Sequence, residues 1–147
     1  GADIRAGRLS ISGLTENTIL DRLEQTDLAV ALNRAAKDAN FLSGDSRYAN
    51  IKYIAYEGGQ HVVGMDDTAR NNAALNAIFD AANRNPRMKQ LYTLYLSGLA
   101  QLGMDLFTHF NNVSSPTKWG RWGALEYQDQ PRPEAPKYDA LATYKGL

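Results

Sequence analysis

Apolar side chains recur at helical spacing over most of this chain and crowd into strand-like runs in only two places. Thr15 is placed to cap a helix carrying Ile19, Leu20 and Leu23, and Thr26 to cap a second one carrying Leu28, Ala31, Leu32, Ala35, Ala36 and Ala39. Residues 8–12, Arg8-Leu9-Ser10-Ile11-Ser12, alternate polar and apolar and predict a short strand that Gly13 ends. After a turn at Gly44-Asp45-Ser46, the run Ile51-Lys52-Tyr53-Ile54-Ala55-Tyr56 has the β-rich, apolar character of a parallel strand covered on both faces. Asp67 or Thr68 then opens a helix with Ala74, Leu75, Ile78, Phe79 and Ala82. Asn85-Pro86 starts another through Leu91, Leu94, Tyr95, Leu99 and Leu102, with Gly103 as its C-terminal cap. Met104 to Phe110 is the second strand, and a short helix from Tyr138 to Tyr144 closes the chain.

This order predicts an α/β fold in which parallel strands are joined by a right-handed helical crossover. Two apolar parallel strands by themselves leave both sheet edges open. The expectation is therefore that the chain belongs to a larger protein, or that a second copy completes the sheet and the chain is a homo-oligomer.

Length and charge narrow the function classes. With 147 residues the chain has the size of one domain, spanning 1–147, able to bury roughly 70% of its unfolded surface. Sixteen basic and sixteen acidic side chains cancel and the basic ones form no stripe, so the phosphate-neutralising field of a nucleic-acid binder is missing. No apolar run approaches the roughly 20 residues needed to span a bilayer, so no membrane partner is expected. Cysteine is absent, which excludes disulfide and thiolate chemistry but assigns no compartment; a secreted or periplasmic parent fits as well as any other.

Candidate chemistry gathers at the ends of the two strands. The first ends in Tyr56-Glu57-Gly58-Gly59-Gln60-His61. Strict alternation puts Ile51, Tyr53, Ala55 and Glu57 on one face, with Glu57 at the carboxyl end, where α/β proteins display reactive groups. The two glycines allow close approach of a ligand or positive φ; the plainer reading is a polar loop that happens to begin with Glu. The second strand ends in His109, followed on the same face by Asn111, a pair suited to binding hydroxyls or to a buried, hydrogen-bonded histidine. His61 with Glu57 and Asp66 or Asp67 has no recognisable metal-ligand spacing such as HExxH, so neither metal nor cofactor is expected. Trp119 and Trp122 sit in a glycine-bounded loop, where an indole offers a flat apolar face and one donor to a sugar ring. Plugging the end of the fold is the alternative, favoured for Trp119, while Trp122 is the better ligand candidate. Tyr92 and Tyr95 read as helix packing, and Arg84, Arg87 and Lys89 as a solvated helix junction.

Several of these segments together resemble one family. Ile54-Ala55-Tyr56-Glu57-Gly58-Gly59-Gln60-His61, Asn85-Pro86-Arg87-Met88, Leu106-Phe107-Thr108-His109-Phe110, Trp119-Gly120-Arg121-Trp122-Gly123 and Ala135-Pro136-Lys137-Tyr138 resemble the C-terminal part of (β/α)8-barrel glycoside hydrolases, more narrowly bacterial, cellulase-like proteins of the large retaining clan. The resemblance implies a partial TIM barrel formed by the last strand-helix units. It implies Glu57 as the nucleophile and Trp122, or Trp119, as the platform under the reacting sugar. Tyr56, Gln60, His61, His109 and Asn111 would be surrounding substrate contacts, and the partner a β-linked polysaccharide or oligosaccharide. The clan's proton donor sits in an Asn-Glu pair that this chain lacks; Glu16-Asn17 has the reverse order. Because retention requires two carboxyl groups about 5–5.5 Å apart, the chain alone is expected to be inactive. The alternative is a non-catalytic carbohydrate-binding or self-assembling module. Asp66, Asp67 and Glu126 are the internal substitutes for the missing acid.

Overall fold

The computed structural model describes residues 10–147. Helix α1 (Glu16–Arg22) begins where Thr15 accepts the Thr18 N–H, and the Thr18 side chain returns a bond to the Thr15 N–H. It runs without a break through a π-helical turn (Leu23–Asp27) into α2 (Leu28–Ser43). Thr26, expected to start a new helix, therefore lies inside a continuous one. The predicted strand over 8–12 falls partly outside the described residues, and Ile11–Gly13 forms a 3-10 turn instead.

Strand β1 (Ile54–Gly58) is followed by the single turn α3 (Asp67–Arg70), capped by Asp66, and by α4 (Ala73–Arg84), capped by Asn72. The sequence pattern merged these two helices because their apolar positions stay in phase; the Ala69 N–H donating to Asp66 Oδ1 and the Leu75 N–H donating to Asn72 Oδ1 start each one separately. Then come α5 (Arg87–Gln101), strand β2 (Leu106–His109) and α6 (Pro136–Tyr144). Gly103 follows α5 with φ +78°, as its capping role requires.

The expected partial (β/α)8 barrel is not what forms. The described residues are mainly helical, and their sheet consists of β1 and β2 alone, paired in parallel. Nor is either strand covered on both faces. Ala55, Gly58, Phe107 and His109 turn toward the helices, where the Phe107 ring meets Tyr95 edge-on at 5.6 Å. Ile54, Tyr56, Leu106 and Phe110 are exposed, Tyr56 at 84%. An apolar run marks residues able to enter a core but carries no information about whether the chain supplies a layer for each face.

The core lies among the helices. Leu20, Ala82, Met88, Leu91, Tyr92 and Ala140 form one buried cluster joining α1, α4, α5 and α6; Leu14, Ala69, Leu75 and Phe79 form another beneath α3 and α4. At Gly98 a β-carbon would stand 2.7 Å from the Leu32 side chain, so Leu32 of α2 packs directly onto the α5 backbone at this point.

Candidate functional site

The register of the sheet decides how Glu57 is presented. Ala55 pairs with Phe107 and Gly58 with His109, so three steps along β1 match two along β2. One extra residue in β1 makes a bulge at Tyr56-Glu57, and a bulge re-aims the side chains beside it. Glu57 consequently leaves the helix-covered face that simple alternation assigns it and becomes exposed. It makes no hydrogen bond or ion pair among the described residues. Gly58 takes its place against the helices, and a β-carbon there would meet the Phe107 ring at 2.4 Å. Gly59 has φ +137° and lies against the Tyr92 hydroxyl and His109 Nε2, at 3.0 and 3.2 Å from an added β-carbon.

A relay of directed hydrogen bonds fixes the loop that follows. The Gln60 N–H donates to the Tyr92 oxygen at 3.0 Å, and the Tyr92 hydroxyl lies 3.0 Å from His109 Nε2. His109 Nδ1 is 3.1 Å from the Asn111 main-chain oxygen. A carbonyl can only accept, so Nδ1 carries the ring proton, Nε2 accepts, and Tyr92 donates to it. Burial, with the nearby Lys137 charge, lowers the His109 pKa to about 4, which keeps the neutral tautomer that the relay needs. Burial raises the Tyr92 pKa, so its hydroxyl retains the proton it donates. His109 is thus a structural bridge between β2 and α5 rather than an open hydroxyl-binding group. The Asn111 Oδ1 is buried without a partner, while its main-chain oxygen also accepts the Ala124 N–H.

The Gln60 side chain ties this loop to the tryptophan loop. Its Oε1 accepts the Val62 N–H at 2.7 Å, and its Nε2 donates to the Arg121 carbonyl and, at 3.4 Å, to Asn83 Oδ1. The same Arg121 carbonyl receives Lys137 Nζ at 2.6 Å. Lys137 is 2% exposed, and its burial lowers its pKa to about 7 despite the opposing Glu126 charge. Arg121 is itself buried, bonding Asp80 at 2.5 Å and the Asn76 main-chain and side-chain oxygens, with Nη1 unpartnered.

Held this way, Trp122 reaches the strand end. Its Nε1 donates to His61 Nδ1 at 3.1 Å, the two rings lying 22° apart with their centroids 5.9 Å from one another, and Phe110 meets the indole edge-on at 5.8 Å. Phe110 is joined to β1 by its N–H, which donates to the Gly58 carbonyl at 2.9 Å. The Phe110–Asn111 peptide is cis. Gly120 lies beneath the indole, where a β-carbon would collide at 2.3 Å.

Trp122, His61, Phe110, Gln60 and the Tyr56-Glu57 bulge therefore gather at the carboxyl ends of the strands. Trp119 does not join them: it is exposed, with Arg70 at 4.9 Å and Lys118 at 5.1 Å from its ring center. The internal substitutes for a second carboxylate are each engaged elsewhere. Asp66 caps α3, Asp67 pairs with Arg70 at 2.8 Å, and Glu126 is held by Arg84 and Asn83. Among the described residues no three His, Asp or Glu side chains converge as metal ligands.

Phe110, Tyr92, Arg121 and Lys137 carry more of this site than their sequence signals indicate. Tyr92 follows helical spacing and does pack in the core, which hides its polar role, and nothing local marks Lys137 as buried. Arg84, Arg87 and Lys89, read as a solvated junction, are partly exposed and ion-paired, with Glu126, with Asp21 and Glu24, and with Asp139 respectively. Comparisons with family models, with curated proteins and with solved structures find no match to this chain.

Proposed function

We propose that the chain carries a carbohydrate-binding face at the carboxyl ends of β1 and β2, with Glu57 as the carboxylate that attacks the anomeric carbon when further chain or a partner copy supplies the second carboxyl group. The observation that carries this reading is an aromatic surface, Trp122 with His61 and Phe110, at the ends of the same strands whose bulge leaves Glu57 exposed with no partner among the described residues. Indole and phenyl faces suit the C–H faces of a sugar, and an unpaired carboxylate is available to a hydroxyl or an anomeric centre. With one such carboxylate, retaining hydrolysis cannot be completed, so this chain binds without turnover.

The test is titration of a Trp119→Phe variant, whose remaining indole is Trp122, with a β-linked oligosaccharide such as cellohexaose. Quenching or a blue shift is expected, with affinity falling about tenfold when Phe110 is replaced by Ala. No new reducing ends should appear. Glu57→Gln should retain binding, and absence of any fluorescence change at millimolar sugar refutes the reading.

A second reading, self-assembly, is favoured by a different observation. Among the described residues the sheet has two strands with no other strand pairing at either outer edge, and Ile54, Tyr56, Leu106 and Phe110 are exposed. Another copy pairing edge to edge would satisfy backbone groups and cover apolar surface together.

A further inference from the structure

Helices α2 and α5 and the Gly59–His61 loop border an open cleft of about 400 Å3, whose lining includes neither Tyr56 nor Glu57. Its size is at the small end of organic-ligand pockets, room for about 10–15 non-hydrogen atoms. Leu28, Ala31, Met88 and Leu91 supply apolar wall. The π-helical turn contributes Leu23 and Asp27; such turns, rare in general, recur at functional sites. Gly59 forms part of the lining, and its contact with Tyr92 and His109 leaves no room there for a side chain.

The polar groups around this cavity are mostly donors. Arg34 is exposed and makes no hydrogen bond or ion pair among the described residues, and the Tyr95 hydroxyl likewise has no hydrogen-bond partner among them. Burial raises the Tyr95 pKa, so the hydroxyl stays a donor. His61 accepts from Trp122 at Nδ1, which leaves the ring proton on Nε2. Asp27 is the acidic exception, and it pairs with Arg22 at 3.5 Å. One unpaired guanidinium with neutral donors matches a monoanion better than a phosphate dianion, and a planar carboxylate matches the guanidinium fork.

We infer that this cavity binds a small molecule with an apolar body and one carboxylate, the body against Leu28, Ala31 and Leu91 and the carboxylate at Arg34 and Tyr95. The site shares only Gln60 and His61 with the carbohydrate face, and it stands if that face binds no sugar.

The probe is 3-phenylpropionate, titrated into the full chain while amide spectra are recorded, with 3-phenylpropan-1-ol as the uncharged isostere. Saturable shifts at Gly59, Gln60 and His61 are expected, with affinity reduced about tenfold or more for the alcohol and for Arg34→Gln. Ala31→Phe should fill the cavity and abolish the shifts while leaving the rest of the spectrum folded. Absence of shifts at these amides at about 10 mM probe, where even a millimolar site is largely occupied, overturns the inference. So does an Arg34→Gln affinity within twofold of the parent.

Discussion

Replacing Tyr92 by Phe removes one oxygen and tests the relay that holds the candidate site together. The ring stays in the cluster with Leu20, Met88 and Leu91, so packing changes little. Two partners are stranded: the Gln60 N–H, which donates to that oxygen at 3.0 Å, and His109 Nε2, which receives its proton at 3.0 Å. An unpaired buried polar group costs about 1–3 kcal/mol. With both groups only partly buried, the sum comes to about 3 kcal/mol, a large share of the roughly 5–15 kcal/mol that stabilises an ordinary domain. Thermal unfolding should move down by about 6–12 °C for a chain of this length. Urea unfolding followed by circular dichroism and by tryptophan fluorescence measures the loss, and hydrogen exchange at the Gln60 amide locates it. In a cycle with His109→Phe, the two substitutions should be coupled by at least about 0.5 kcal/mol because they share one bond. A Tyr92→Phe protein within about 0.5 kcal/mol of the parent, with Gln60 exchange unchanged, refutes the relay as a source of stability.

The remaining predictions concern pH, packing and association. His109 titrates at about 4 when folded against an ordinary 6.5, so the unfolded chain binds more protons between these values. Stability should be complete above 6.5 and fall by about 3 kcal/mol as pH drops to 4, a slope that His109→Asn removes in urea titrations across that range. Lys137 is lowered from 10.5 to about 7, and by the same sign stability should rise by about 4–5 kcal/mol from pH 7 to 10.5; Lys137→Met should flatten that window and, because the Lys137 charge helps lower the His109 pKa, narrow the acidic one without abolishing it. Gly58→Ala should cost about 1–3 kcal/mol through overlap with the Phe107 ring, and Phe107→Leu in the same chain should recover part of it, read as a denaturation midpoint. If the open sheet drives association, light scattering should show a dimer or larger species that Tyr56→Lys shifts toward monomer; a monomer at all concentrations in the parent removes that reading.

What the sequence determined by itself was local. Helical spacing marked the helices, Thr15 capped α1 as its side chain allows, Pro86 preceded α5, and Gly103 took the positive φ that ends it. The two strands were also legible, because β-branched and aromatic residues without helical period favour extended backbone. Capping bonds and turn conformations span a few residues, so the chain encodes them within a short window. Tertiary structure decided the rest. The apolar strands did not build a barrel, because burial of both faces depends on layers that the runs themselves do not specify. The presentation of Glu57 turned on one extra residue between Ala55 and Gly58, a property of how β1 pairs with β2 and invisible in β1 alone. Trp122 was separated from Trp119, and Tyr92, Arg121 and Lys137 were drawn into the site, by contacts across 16 to 61 residues of chain. Such contacts follow from which surfaces the helices bury against one another, and no short stretch of sequence contains that information.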